Sequence, residues 1–363
     1  MSLPDQLIIN GVSFAGFQLV HEANRLSASD LQWEKDLGEF LKQWLSDDAS
    51  ITAFTSGSTG AARPIRLKKQ AMIASAQATL EALGLHAAKQ ALLCLSCKTI
   101  AGMMMTVRAM VQGFNLITTS PDGNPLKYIA ENLPIDFAAM VPTQVYNSLN
   151  QQETKKKFGQ IGTVIIGGGE ISPQLENQFA ELSNALFATF GMTETISHIA
   201  LRRLNGSDRT EVYTALPGVN LSADERGCLI IEAPALTNAP VVTNDIVKLY
   251  SSKLFRWLGR YDHVINRGGR KLIPEEIEKK IRHRIPFPFF IAGIPDNKYG
   301  EVAALVVETG AAGIGDAQNL LKDIRPLCHF REMPQKVIEV ASFVTAGSGK
   351  INRLATLKSL YSL

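Results

Sequence analysis

Short apolar runs alternate along this chain with longer stretches whose apolar positions recur at helical spacing. Residues 91–96, 114–118, 137–141, 163–167 and 186–190 are apolar runs of strand length. Residues 68–83, 100–111 and 173–183 read as helices. This alternation predicts an α/β layer with largely buried, often parallel strands. Ile51-Thr52-Ala53-Phe54 reads as a further strand. A second, smaller α+β unit is predicted from about Tyr261. It has a hairpin-like start over 264–272, a helix from Pro274 to about Arg284, and strands at 289–293, 303–308 and 336–340. The run Lys155-Lys156-Lys157 reads as a solvated surface turn. No internal repeat or low-complexity tract is present.

A chain of 363 residues is too long for one ordinary core, which supports two or more domains. Apolar residues make up 45% and charged residues 20%, an ordinary globular balance. The formal charge of +3 gives no reason to expect nucleic acid or an anionic membrane as partner. Four Cys in so long a chain do not make a disulfide framework, so a cytoplasmic location is expected. No apolar run reaches transmembrane length, and the first residues lack the basic start and apolar core of a signal peptide. Cys94-x-x-Cys97 has no second Cys pair, and core packing is the favoured reading over a metal site.

Several segments carry candidate chemistry. Thr55-Ser56-Gly57-Ser58-Thr59-Gly60 follows the 51–54 strand. Its two glycines let backbone N–H groups close around phosphate oxygens, and Ser56, Ser58 and Thr59 add hydroxyl donors. Arg63 and Arg66 place positive charge just behind. It is not a Walker A loop, because no Gly-Lys-Ser/Thr follows. Ile165-Ile166-Gly167-Gly168-Gly169-Glu170 is a strand entering a glycine turn. Phe190-Gly191-Met192-Thr193-Glu194-Thr195 follows another strand, and Glu194 is a hard carboxylate of the type that holds Mg²⁺ against phosphate. Read singly, each segment is also compatible with an ordinary turn, cap or surface charge.

Taken in order, these segments resemble the adenylate-forming superfamily of acyl-CoA synthetases, aryl-CoA ligases, adenylation domains and luciferases. The resemblance runs from Ile51 to Arg353 and includes Thr243-Asn244-Asp245, Gly259-Arg260-Tyr261-Asp262, Gly268-Gly269-Arg270 and Gly347-Ser348-Gly349-Lys350. It implies the adenylate-forming enzyme fold, with a reduced large N-terminal α/β domain over 1–260 and a small mobile α+β domain over 261–363. It implies that Thr55, Ser56, Gly57, Ser58, Thr59 and Gly60 bind phosphate, that Gly168 and Gly169 border the adenine pocket, that Phe190 covers the adenine, and that Gly191 belongs to the nucleotide-binding segment. Thr193 would donate to the α-phosphate and Glu194 would hold the metal. Asp245 would accept from the ribose, Arg260 would contact the nucleotide, Asp262 would be the hinge, and Lys350 the adenylating cation. The departures are Ala62-Arg63-Pro64 for the usual Pro-Lys-Gly, and Asn244 for the usual Gly, where Asn can take the left-handed backbone that Gly would favour.

Ser96–Arg108 and Thr195–Arg203 look like the short o-succinylbenzoate–CoA ligases of menaquinone biosynthesis. That resemblance implies ATP, Mg²⁺ and coenzyme A as co-substrates and an aromatic acid with a second carboxylate. Lys98, Ser197, His198 and Arg202 are the candidate groups for that acid. A carrier-protein thiol in place of CoA, and a non-catalytic nucleotide-binding descendant, are the alternatives. A homodimer is left open.

Overall fold

The five apolar runs lie side by side at the centre of one large sheet. The structure, a computed structural model, describes residues 3–55, 63–310, 317–345 and 351–361. The strands Asn115–Thr118, Gln90–Leu93, Phe137–Met140, Thr163–Ile166 and Ala185–Gly191 pair in parallel in that order. Alternation of side chains along them feeds two cores. Ala91 and Leu93 join one apolar cluster, Leu92 and Cys94 the other. The first cluster takes Met103, Met104 and Val107 from the helix Ile100–Gln112, and the second takes Val145, Leu149 and Phe158 from helices on the opposite face. Burial on both faces is why these strands read as continuous apolar runs.

The sheet is larger than the sequence pattern indicates, with thirteen strands among the described residues. Six of them, from His198–Arg203 to Leu254–Arg260, extend it by antiparallel pairing. They escape the apolar-run criterion because polar positions interrupt them, as in Val241–Ser251. Ser50–Thr55 and Arg63–Lys68 form a separate antiparallel hairpin. The chain then passes through the single turn Tyr261–His263 into a second sheet, of five strands among the described residues, in which Lys336–Val340 pairs in parallel with Gly300–Glu308. The hairpin Ile265–Arg267/Arg270–Leu272 turns on Gly268 and Gly269, both at positive φ. The helix Pro274–Ile281 opens with proline at its start and Glu275 and Glu276 in its first turn.

Two local expectations are corrected. Lys155-Lys156-Lys157 lies inside the helix Gln152–Gln160. Lys157 is buried there, its ammonium donating to Glu153 at 2.8 Å and to the Leu126 carbonyl at 3.3 Å. The charge run hid a narrow buried face of Thr154, Lys157 and Phe158. Asn244 does not take the left-handed conformation. It lies within the strand Val241–Ser251, and among described non-glycine residues positive φ occurs at Asn10 and Ile196.

Candidate active site

One cleft collects most of the residues singled out above. Its walls come from the ends of the parallel strands, the turn Thr193–Thr195, the strands around Asp245 and Arg260, and the helix Pro274–Ile281 of the second sheet. Gly168, Gly169, Phe190, Gly191, Thr193 and Glu194 line it. So do Ser197, His198, Arg202, Asp245, Arg260 and Asp262. Ser56, Gly57, Ser58, Thr59, Gly60 and Lys350 lie outside the described residues, and of Thr55 only the backbone is described.

The Phe190–Thr195 segment is tightly determined. A Cβ on Gly191 would stand 2.4 Å from His198 Cα, so the two strands approach as closely as they do only because the residue is glycine. The Phe190 ring is packed edge-on against Phe255 at 5.1 Å and Tyr213 at 5.7 Å. The Thr195 hydroxyl lies 2.8 Å from the Ser197 carbonyl and accepts from the Met192 N–H at 3.2 Å, closing the turn. The next residue, Ile196, sits at φ 66°, an outlying backbone for a β-branched side chain. Glu194 stands exposed at the rim. Among the described residues no three His, Cys, Asp or Glu side chains cluster as a metal cage. A magnesium ion carried on nucleotide phosphates and water needs only one or two protein carboxylates, and Glu194 fits that donor set.

Asp245 is buried, with Oδ1 accepting from Trp257 Nε1 at 2.9 Å. Arg260 spans two carboxylates, reaching Asp245 Oδ2 at 3.5 Å and Asp262 Oδ2 at 2.8 Å.

The candidate acid-binding groups separate into two kinds. Lys98 is exposed in the turn before the Ile100–Gln112 helix and is not among the cleft-lining residues, so the structure does not bring it to the others. Arg202 reaches the cleft, but it is already paired with Glu176 at 3.0 Å and lies 5.7 Å over the Tyr213 ring. Ser197 and His198 instead surround a cation that sequence reasoning passed over. Arg108 is carried inward by the Ile100–Gln112 helix and is 2% exposed. Its Nη2 donates to Ser197 Oγ at 3.1 Å and reaches Thr79 Oγ1 at 3.5 Å, while its Nε has no partner among the described residues. No carboxylate pairs with it among the described residues. Burial pulls its pKa down to about 10, which leaves it cationic at neutral pH. His198, 3.2 Å from Thr79 Oγ1, is held neutral by burial and by the Arg108 charge, both of which push its pKa well below the ordinary value. One sequence signal points to Arg108. It is a single charge in the otherwise apolar turns Met103-Met104-Met105-Thr106-Val107-Arg108-Ala109-Met110.

Cys94 and Cys97 are buried, contacting the Ala139 carbonyl and the Thr106 hydroxyl at 3.4 Å each, and burial pushes both thiols up to about 12. Inert core thiols are the result.

Known proteins fit this geometry. The chain is 26% identical over 340 residues to the 2-succinylbenzoate–CoA ligase of Salmonella typhimurium, spanning 90% of this chain and 72% of that one. It is 25% identical over 359 residues to the probable 2-succinylbenzoate–CoA ligase of Mycobacterium tuberculosis, spanning 92% and 90%. Among solved structures, an acyl-CoA synthetase (AMP-forming)/AMP-acid ligase II-like protein from Dyadobacter fermentans is 34% identical, with a TM-score of 0.64 and coverage of 93% and 97%. The O-succinylbenzoate coenzyme A synthetase of Bacillus subtilis, solved with ATP and magnesium, shares the fold at 17% identity with a TM-score of 0.69, over 84% of this chain and 69% of that one. The family model described as AMP-binding enzyme matches residues 14–223. With a cleft lined by the parallel-strand ends, by Asp245 and Arg260 and by the helix Pro274–Ile281, the chain belongs to the AMP-binding enzyme family and has the adenylate-forming fold.

Proposed function

We propose that this protein is an ATP- and Mg²⁺-dependent acid–CoA ligase that converts o-succinylbenzoate to its CoA thioester. The relatives named above as 2-succinylbenzoate–CoA ligases support the reaction. The observation that carries the substrate class is Arg108. A buried guanidinium without an acid partner is costly, because desolvation is not offset by a counter-charge. Perturbed buried charges of this kind concentrate at functional sites. Leu95, Ile100, Met104 and Ala139 line the same cleft as Arg108 and supply apolar surface suited to an aromatic ring. An aromatic acid with two carboxylates satisfies both features. One carboxylate meets Arg108, and the other is presented to the nucleotide.

In this reading the cleft works in two steps. Asp245 accepts from the ribose, and the Gly168–Gly169 turn and Phe190 enclose the adenine. Thr55 to Gly60 cradle the phosphates. Glu194 would hold the magnesium ion, which supplies charge neutralisation between carboxylate and phosphate. Thr193 donates to the α-phosphate, and Lys350 offsets negative charge as the acid carboxylate attacks and pyrophosphate leaves. Residues 261–363, a small domain, then swing about Asp262, and the CoA thiol displaces AMP.

The test is pyrophosphate release over a set of acids. O-succinylbenzoate is expected to react at least about a hundredfold faster than benzoate-like monocarboxylates, because the missing anion leaves Arg108 buried and unpaired. Equal rates for benzoate or medium-chain fatty acids would remove the substrate assignment.

A further inference from the structure

The turn Tyr261–His263 is the one covalent passage between the two sheets before the chain closes its second core, and each of its side chains is held. Asp262 Oδ1 accepts from Asn244 Nδ2 at 3.0 Å, and Oδ2 accepts from Arg260 Nη2 at 2.8 Å. Both donors stand on paired strands of the large sheet. His263 faces the other way, with Nδ1 2.5 Å from Glu275 Oε1 on the helix Pro274–Ile281 of the small sheet. The Tyr261 ring lies 5.0 Å from Arg226, in the turn between the large-sheet strands Asn220–Ala223 and Cys228–Glu232, and 5.2 Å from Lys271 of the small sheet.

Asp262 is therefore tied to one body and His263 to the other. Between these two anchors the backbone has only ψ of Asp262 and φ of His263 free to turn. A swing that keeps both anchors must use that pair of torsions.

Asn244 is itself oriented. Its Oδ1 accepts from Arg226 Nη1 at 3.1 Å, and Arg226 Nε donates to Asp224 Oδ2 at 2.8 Å. The amide thus turns its oxygen to a cation and its nitrogen to a carboxylate, and a flipped amide would oppose both. Arg260 is a less constant holder, because it also reaches Asp245, and bound phosphates would compete for its guanidinium.

We infer that Asn244 is a positioning residue. Its amide pins the pivot Asp262 to the large sheet, confines the swing to the 262–263 peptide, and sets how readily the small domain leaves the orientation seen here. This rests on the two-step ligase reading above, since a pivot matters where one cleft serves two half-reactions.

The variants are Asn244→Gly, which removes the amide, Asn244→Asp, which places a second carboxylate against Asp262, and Asn244→Gln, which keeps an amide. Two readouts are taken. One is the ratio of thioester formation from supplied acyl-adenylate to adenylate formation. The other is the distance distribution between spin labels at exposed Glu81 and Asp323, in a Cys328→Ser background. Gly and Asp are expected to broaden the distances and to shift the ratio in the same direction by about three- to tenfold, the size of a partly exposed charge-assisted hydrogen bond. The shift should appear in kcat rather than KM, and Gln should stay nearer the parent. Unchanged ratio and unchanged distances in both Gly and Asp variants overturn the clamp. If the parent protein makes neither adenylate nor thioester, the ligase reading fails, and the label distances still decide whether Asn244 holds the pivot.

Discussion

Arg108 shows how a single side chain can be a liability for the fold and an asset for the site. Among the described residues its buried guanidinium reaches only hydroxyls and leaves Nε without a partner. Replacing a buried ion by an apolar side chain of similar volume is often neutral or stabilising by about 1–4 kcal/mol. Arg108→Met should therefore hold or raise thermal stability. Its activity on the dicarboxylic acid should fall by about 2–5 kcal/mol of transition-state binding, roughly thirtyfold to several thousandfold. Benzoate-like acids should lose much less, so discrimination collapses. Melting curves with paired kcat/KM values check this, and a destabilised Arg108→Met with unaltered discrimination would make Arg108 structural. The sequence made the candidates Lys98, Arg202, Ser197 and His198 visible as polar groups near the right motifs. It could not show that Glu176 already neutralises Arg202 or that Lys98 points to solvent, because both depend on partners far along the chain.

At the scale of elements, the helix Pro274–Ile281 connects the second sheet to the cleft. Arg256 reaches Glu276 at 3.0 Å, Arg282 reaches Glu170 at 3.1 Å, and Lys279 pairs with Glu211. Glu275 packs where a Cβ on Gly259 would stand, 2.3 Å from its Oε2. Burial works to raise the Glu275 pKa, but the His263 hydrogen bond and the Arg353 charge outweigh it and hold the pKa below the ordinary carboxylate value. A depressed folded pKa contributes stability that is complete above the unfolded pKa and is lost as pH falls through the folded one. Glu275→Gln should cost roughly 1–3 kcal/mol at neutral pH. Its melting temperature should also fall less steeply than the parent's below about pH 4.5. Parallel melting curves across pH 3–7 test this, and identical slopes would show that folding leaves the Glu275 pKa unshifted. The opening of this helix was legible, because proline followed by two glutamates has a local cause. So were the parallel strands, whose double burial leaves an apolar run. The antiparallel strands over 198–260 were not, since pairing partners supply most of their stability and polar positions alternate through them.

Taken as one molecule, the proposed ligase uses one cleft between two sheets first to make an acyl-adenylate and then to transfer the acyl group to a thiol. Among the described residues, no helix is long and apolar enough to cross a membrane. The order of the motifs along the chain made the architecture readable, because the described motifs at 167–170, 190–195, 243–245 and 259–262 mark strand ends or turns that the sheets bring to one cleft. What the order could not give is how the two sheets meet, which rests on Asn244, Arg260, His263 and Glu275. The most direct test is to follow pyrophosphate, AMP and thioester together, with o-succinylbenzoate, ATP and Mg²⁺, before and after CoA is added. The expected course is a burst of about one pyrophosphate per site without CoA, then sustained release of AMP matched by thioester once CoA is present. Lys350→Ala should abolish the burst, a loss of roughly 3–4 kcal/mol, yet still form thioester from supplied acyl-adenylate. Release of ADP and phosphate, pyrophosphate formation that requires CoA from the start, or equal loss of both half-reactions in Lys350→Ala would contradict the account.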